Sequence, residues 1–161
     1  MKRLVLLAVA AIAASNAHAD RMPIPANAPP AFKAECGSCH LPFPPALLAA
    51  NDWQRVMGNL EKHYGDNASL DEKSRRAIEE FLMRNAGSGR RTEGASVGGA
   101  LPRPTATTWF RREHNEIPTP AWKDKRVGSA ANCLACHTRA DAGSFSEREI
   151  RIPGGYRHER D

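Results

Sequence analysis

Two copies of one short pattern constrain this chain more than anything else in it: Cys36-Gly37-Ser38-Cys39-His40 and Cys133-Leu134-Ala135-Cys136-His137. Together they use all four cysteines of the chain. Each places two thiols at i and i+3 and an imidazole at i+4, positions that share one face of a helical turn. Two sulfurs so placed can form thioethers to the two vinyl groups of a haem. The histidine then lies beneath the iron as an axial ligand, the spacing of c-type haem attachment. Three other readings compete. A zinc ribbon needs its ligand pairs close together, and these pairs are far apart, each with its own histidine. Thioredoxin-like redox motifs need an alternating strand–helix context, which is absent here. Two disulfides would suit an oxidising compartment. The expected cofactors are two covalently bound c-type haems, held through Cys36 and Cys39 and through Cys133 and Cys136.

The amino terminus addresses the destination. Met1-Lys2-Arg3 is a basic start, Leu4 to Ala14 is apolar, and Ala17-His18-Ala19 fits the small-x-small cleavage rule. Residues 1–19 therefore read as a cleaved signal peptide and the expected location is the periplasm. The apolar run is too short to span a bilayer, which takes about 20 residues. No later stretch is long and apolar enough, so the mature chain is not expected to be membrane-spanning. Cleavage leaves 142 of the 161 residues, of which few are aromatic. A protein-only core would be thin, and small domains short of core rely on disulfides, metals or cofactors.

The formal charge of +5 overstates how basic the functional molecule is. Lys2 and Arg3 leave with the leader, and four haem propionates against two ferric cores bring the total near zero. The arginines are scattered. No nucleic-acid partner is expected, because that needs a basic patch as well as a basic total.

Along the chain, 20–30 is Pro-rich and reads as an extended arm. Residues 31–86 form a first, mainly helical haem domain. Residues 31–40 can be a short helix ending in the first motif, after which Pro42, Pro44 and Pro45 force a loop over one haem face. Asn51 or Asp52 can cap the next helix, whose apolar stripe is Trp53, Val56, Met57, Leu60 and Tyr64, with His63 at its margin and Gly65 as its stop. Ser69 and Glu72 have capping-box spacing for a third helix that buries Leu70, Ala77, Ile78, Phe81 and Leu82, with Gly87 as the C-terminal glycine. Residues 87–104, rich in Gly, Ser, Arg and Pro, read as a linker. The second haem domain is 105–161, with a polar tail beyond Pro153. In it Thr108 can cap a short helix through His114, and Ser129 can begin the helix that carries the second motif.

An electron-carrying haem normally has a sixth ligand, histidine or methionine, and methionine raises the potential. The mature chain holds His40, His63, His114, His137 and His158, and no methionine follows Met83. For the first haem the candidates are His63, Met57 and Met83. Met57 suits the core and Met83 lies near a helix end, so His63 is preferred. For the second haem they are His114, near the potential haem walls Trp109 and Phe110, and His158 in the polar tail. His114 is preferred. The expected iron ligands are thus His40, His63, His114 and His137, with ligation crossed between the units left open.

The stretches "ECGSCHLPFPPALL", "HYGDNASLD", "WFRREHNEIP", "ANCLACH" and "IRIP" resemble the small periplasmic dihaem cytochromes c that donate electrons to a high-spin, oxygen-binding monohaem cytochrome. The resemblance covers most of the mature chain. It implies a mainly α fold, with an N-terminal domain like a monohaem class I cytochrome c and a second small haem domain of little regular structure. It also implies two bis-histidine haems of low potential, with His63 and His114 distal. The acceptor would be that high-spin cytochrome, and a membrane cytochrome b the donor upstream. Under this reading the chain performs no bond chemistry and has no catalytic residues. The alternative is a peroxidase-like dihaem enzyme with one open iron, which would need acid–base groups above that iron. A haem-based sensor or maturation module is a third class, but no signalling domain is attached.

Overall fold

The computed structural model describes residues 21–156, so the leader 1–19 and His158 lie outside the described residues. Among the described residues the regular structure is helical. Only three isolated β-bridges occur, Arg21–Ser144, His63–Asp66 and His137–Ile150. The fold is mainly α, as the sequence implied.

Helix α1, Pro30–Cys36, begins with a proline whose fixed φ suits the first helical position. It buries Phe32 and ends at the first cysteine rather than at His40, with the Gly37 N–H closing onto Lys33 O at 3.1 Å. Helix α2, Ala50–Met57, buries Trp53, Val56 and Met57 on one face. Its N-cap is Ala49, without a side-chain bond, while Asp52 lies in the first turn, where its charge suits the helix dipole. The stripe expected to continue to Gly65 stops at Gly58. Gly and Asn are poor helix formers, and the Asn59 side-chain amide donates to Arg55 O at 2.8 Å, satisfying a terminal carbonyl. The chain goes on as a 3₁₀ turn, Leu60–Lys62.

Helix α3, Glu72–Arg84, buries Ile78, Phe81 and Leu82. Its cap is Asp71, which accepts from Ser74 N at 3.0 Å, not Ser69, whose own N–H donates to Asn67 Oδ1 at 2.9 Å. Asn85 ends the helix, donating to Phe81 O at 2.8 Å. Gly87 lies beyond that end and ties the chain back to the first loop. Its N–H donates to Leu48 O at 2.9 Å, and a Cβ there would lie 2.1 Å from Ala46 O.

These elements close one apolar core from Phe32, Leu48, Trp53, Val56, Met57, Ile78, Phe81, Leu82 and Ala95. Phe32 and Phe81 pack with ring centroids 5.0 Å apart. Ala95 belongs to the stretch read from composition as a linker. That stretch is folded against the first unit: the Arg55 guanidinium donates to Ser96 Oγ and to the carbonyls of Gly99 and Ala100. Its Gly and Ser are there because the chain turns sharply, with Gly94, Gly98 and Gly99 at positive φ.

Among the described residues the second unit has only two short α-helices, α4 (Thr108–Glu113) and α5 (Thr119–Trp122), followed by three 3₁₀ turns. The cap of α4 is Thr107 rather than Thr108. Its fully buried hydroxyl accepts from Phe110 N at 3.0 Å and donates to Pro104 O at 2.9 Å. Ser129 begins no helix. Its hydroxyl accepts from Ala131 N, a local turn that competes with helix. The second motif instead forms the 3₁₀ turn Cys133–Ala135. The N-terminal arm reaches this unit, with Met22 N donating to Gly143 O at 2.9 Å.

Candidate haem sites

The first motif follows α1 directly, and its turn presents His40. The His40 Nδ1 lies 2.8 Å from the Leu41 carbonyl, which fixes the ring and leaves Nε2 out of that bond. Opposite stands His63, at the end of the 3₁₀ turn after α2. The two rings are 6.3 Å apart, centroid to centroid, and nearly parallel at 13°. Phe43, from the Pro-rich loop, packs against His40 at 5.2 Å. Burial, with the nearby His40 in second place, lowers the pKa of His63 and favours the neutral imidazole that metal ligation requires.

The second motif presents His137, whose backbone N–H closes onto Cys133 O at 2.8 Å. His114 faces it from the end of α4, with ring centroids 6.0 Å apart and planes crossed at 76°. The His114 Nδ1 lies 2.8 Å from Phe110 O, and the Phe110 ring stacks on it at 4.0 Å. Burial, followed by the neighbouring His114, pushes the pKa of His137 down to about 4, so it too is neutral at pH 7. Between the pair lies a cavity of about 360 Å³ walled by Trp109, Trp122, Ile117 and Phe145. Phe43, Leu47 and Met22 reach it from the first half of the chain. Arg91, also on its lining, lies over Trp109 at 5.2 Å.

The spacing of the histidines is itself diagnostic. Metal–imidazole bonds are about 2 Å long and a ring nitrogen lies roughly 1.1 Å from its centroid, so two imidazoles on opposite sides of one metal have centroids about 6.3 Å apart. The first pair has that value and the second lies 0.3 Å closer. Among the described residues no group of three or more His, Cys, Asp or Glu forms a metal cluster. Two imidazoles alone would leave a metal under-coordinated; a haem, which brings its own nitrogen ligands, would be held by His40 and His63 at one site and by His137 and His114 at the other. The thiols of Cys36, Cys133 and Cys136 are half-buried beside the histidines. Burial raises the pKa of Cys36 and of Cys133 to about 11 and also raises that of Cys136. Two imidazoles and two neighbouring thiols fit a haem at each site, and at the second the cavity walls are largely apolar.

The two methionine candidates for the first haem lie elsewhere. Met57 is buried in the core, and Met83 is 37% exposed on α3. Sequence reasoning missed Met22, whose Pro-rich surroundings gave no sign of reaching the second site. It also assigned Tyr64 to a helix stripe. Phe43 was within reach, since the prolines around it force a loop over a haem face.

This constellation defines a class: helical proteins that carry two c-type haems. A family model described as dihaem cytochrome c matches residues 32–145. The structure is similar to that of a dihaem cytochrome c from Shewanella baltica OS155, with 37% identity, TM-score 0.68, 81% of this chain and 97% of that one covered. It is also similar to a dihaem cytochrome c from Rhodobacter sphaeroides, with 40% identity, TM-score 0.63 and coverage of 73% and 96%. A search of curated proteins finds no match. The chain belongs to the dihaem cytochrome c family, carries two c-type haems and is a haem protein of electron transfer.

Proposed function

We propose that the protein is a periplasmic single-electron carrier with two bis-histidine haems of low potential. Cys36 and Cys39 form the thioethers of the first haem, with His40 and His63 as axial ligands. Cys133 and Cys136 form those of the second, with His137 and His114. The haems supply one-electron redox chemistry; the protein holds them, excludes other ligands and sets their potentials. The observation that carries the reading is the pair of opposed imidazoles at each site, 6.3 and 6.0 Å apart. With both faces occupied by histidine, neither iron has a position for peroxide, and nitrogen rather than thioether ligation keeps the potentials low.

Electrons must enter and leave at an edge. Cys39 is exposed and Leu134, inside the second motif, is 42% exposed, so the thioether edge of each haem lies near solvent. Small, transient contacts there suit a carrier. The partners we propose are a membrane cytochrome b upstream and a high-spin, oxygen-binding cytochrome as acceptor. Export through the leader 1–19 brings the chain to the compartment where haem attachment takes place. No helix among the described residues is long and apolar enough to cross a membrane.

The ferric protein should show two low-spin EPR signals and no high-spin one. Their shapes should differ, because axial planes at 13° and 76° split the iron d orbitals differently. Stopped-flow mixing with the ferric acceptor should give fast electron exchange that slows as salt rises, since charge steers such encounters. A high-spin iron with rapid peroxide turnover and no electron exchange would establish the enzyme reading instead.

A further inference from the structure

Tyr64 is the one non-glycine residue with positive φ among the described residues, at +53°. An L-residue in the left-handed region is strained, and the next residue, Gly65, would have borne that conformation without cost. Such strain survives only where the surroundings over-determine it. Here three contacts do so. The Tyr64 hydroxyl donates to the Pro102 carbonyl, the Arg103 guanidinium lies over the ring at 4.1 Å, and the ring meets His63 edge-on at 4.8 Å.

His63 needs what these contacts provide. The rings of His40 and His114 are each fixed by a carbonyl 2.8 Å from Nδ1. The buried Nδ1 of His63 has no such partner, nor has that of His137. His137 is held by its place in the second motif and by the bridge to Ile150. His63 sits on a turn closed by backbone bonds alone, Asp66 N donating to His63 O at 3.1 Å, Tyr64 N to Lys62 O at 2.8 Å and Ala68 N to Leu60 O at 2.9 Å, none of which reaches its ring. The anchor of Tyr64 is firm, because Arg103 N donates to Ala95 O at 2.8 Å and Ala95 is buried in the first core.

We infer that Tyr64 is a positioning residue, a latch that presses His63 onto the first iron and keeps small molecules from displacing it. The inference rests on the reading of His63 as an axial ligand. Releasing the latch raises the fraction of time the first iron is open, and apparent affinity for an outside ligand rises with that fraction.

The test uses the dihaem protein as Tyr64→Gly, Tyr64→Phe and His63→Ala. Tyr64→Gly removes the ring and relieves the backbone. Tyr64→Phe keeps the ring and removes only the tether, and it carries the test should the glycine variant not assemble. Carbon monoxide binding to the reduced protein and the ferric EPR spectrum are read together. Tyr64→Gly is expected to bind carbon monoxide at one haem of two, at least about tenfold more tightly than wild type. Tyr64→Phe should show a smaller change of the same kind. The EPR signal of the second haem should be unaltered, and added imidazole should restore the low-spin signal of the first. If His63→Ala opens one haem while both Tyr64 variants behave as wild type, the latch is overturned and the ligand assignment stands. If His63→Ala leaves both haems as in wild type, the ligand assignment fails and the latch with it.

Discussion

Replacing Gly87 by alanine should destabilise the protein through a backbone collision rather than through helix propensity. The added Cβ would lie 2.1 Å from Ala46 O, 2.8 Å from Ala46 C and 2.9 Å from Thr92 Cγ2. Two of these are backbone atoms that cannot rotate aside. Relief requires breaking the bond from Gly87 N to Leu48 O or shifting the 3₁₀ turn Pro45–Leu47. That turn is not idle, since the buried Trp53 indole donates to Pro45 O at 2.7 Å and Leu47 lines the second cavity. Overpacking costs about 1–3 kcal/mol and a lost hydrogen bond about 0.5–1.5, so the sum is roughly 2–4 kcal/mol. At about 3–4 °C per kcal/mol for a chain of this size, the melting midpoint should fall by roughly 6–16 °C. Gly89 is the control: its φ is +65° and nothing lies within 4 Å of an added Cβ. Gly89→Ala should cost only the left-handed penalty, about 1–2 kcal/mol. Thermal melts followed by circular dichroism at 222 nm and by haem absorbance would compare the two. A Gly87→Ala protein that melts with wild type, or a Gly89→Ala protein that is the less stable of the pair, would refute the collision.

Two further predictions concern the flanks of the sites. Thr107→Val should leave Phe110 N–H without its cap and cost about 1–2 kcal/mol in denaturant unfolding, with the absorbance of the second haem responding first because α4 leads into His114; equal perturbation of both haems would count against it. Arg75 and then Arg76, hydrogen-bonded to Glu72, hold its carboxyl at about 2, below the ordinary 4.5. A lowered folded-state pKa contributes stability above the unfolded value that is lost as pH falls through the folded one. Glu72→Gln should therefore flatten the fall in melting temperature between pH 4.5 and pH 2, modestly because the carboxyl is exposed, and a variant with an unchanged acid limb would show that the contacts carry nothing.

Much of the site was legible in the sequence for a chemical reason. Thioether attachment demands fixed spacing between the thiols and the imidazole, so both motifs announce themselves in a chain with four cysteines. Histidines are also few, six in the chain, and the structure brings His63 opposite His40 and His114 opposite His137. The apolar faces of α2 and α3 were legible from their period. What escaped was set by competition at close range or by contacts across the chain. Asn59 ends α2 with a side-chain bond where the apolar period alone runs on to Tyr64. Ala95 is one small apolar residue in a stretch whose composition is that of a linker, and only the packed core shows its use. Thr107 and Thr108 are both acceptable caps, and the choice depends on the Pro104 carbonyl.

Phe43 touches His40 on one side and lines the second cavity on the other. One side chain is thus shared by both haem sites. The second site is not the property of the second half of the chain. A fragment that starts at residue 105 would lack Met22, Phe43, Leu47 and Arg91, which all line its cavity. During synthesis those walls emerge first, ahead of the cysteines they will face. The second cavity is therefore walled in part by residues of the first half, and its shape depends on where that half places them.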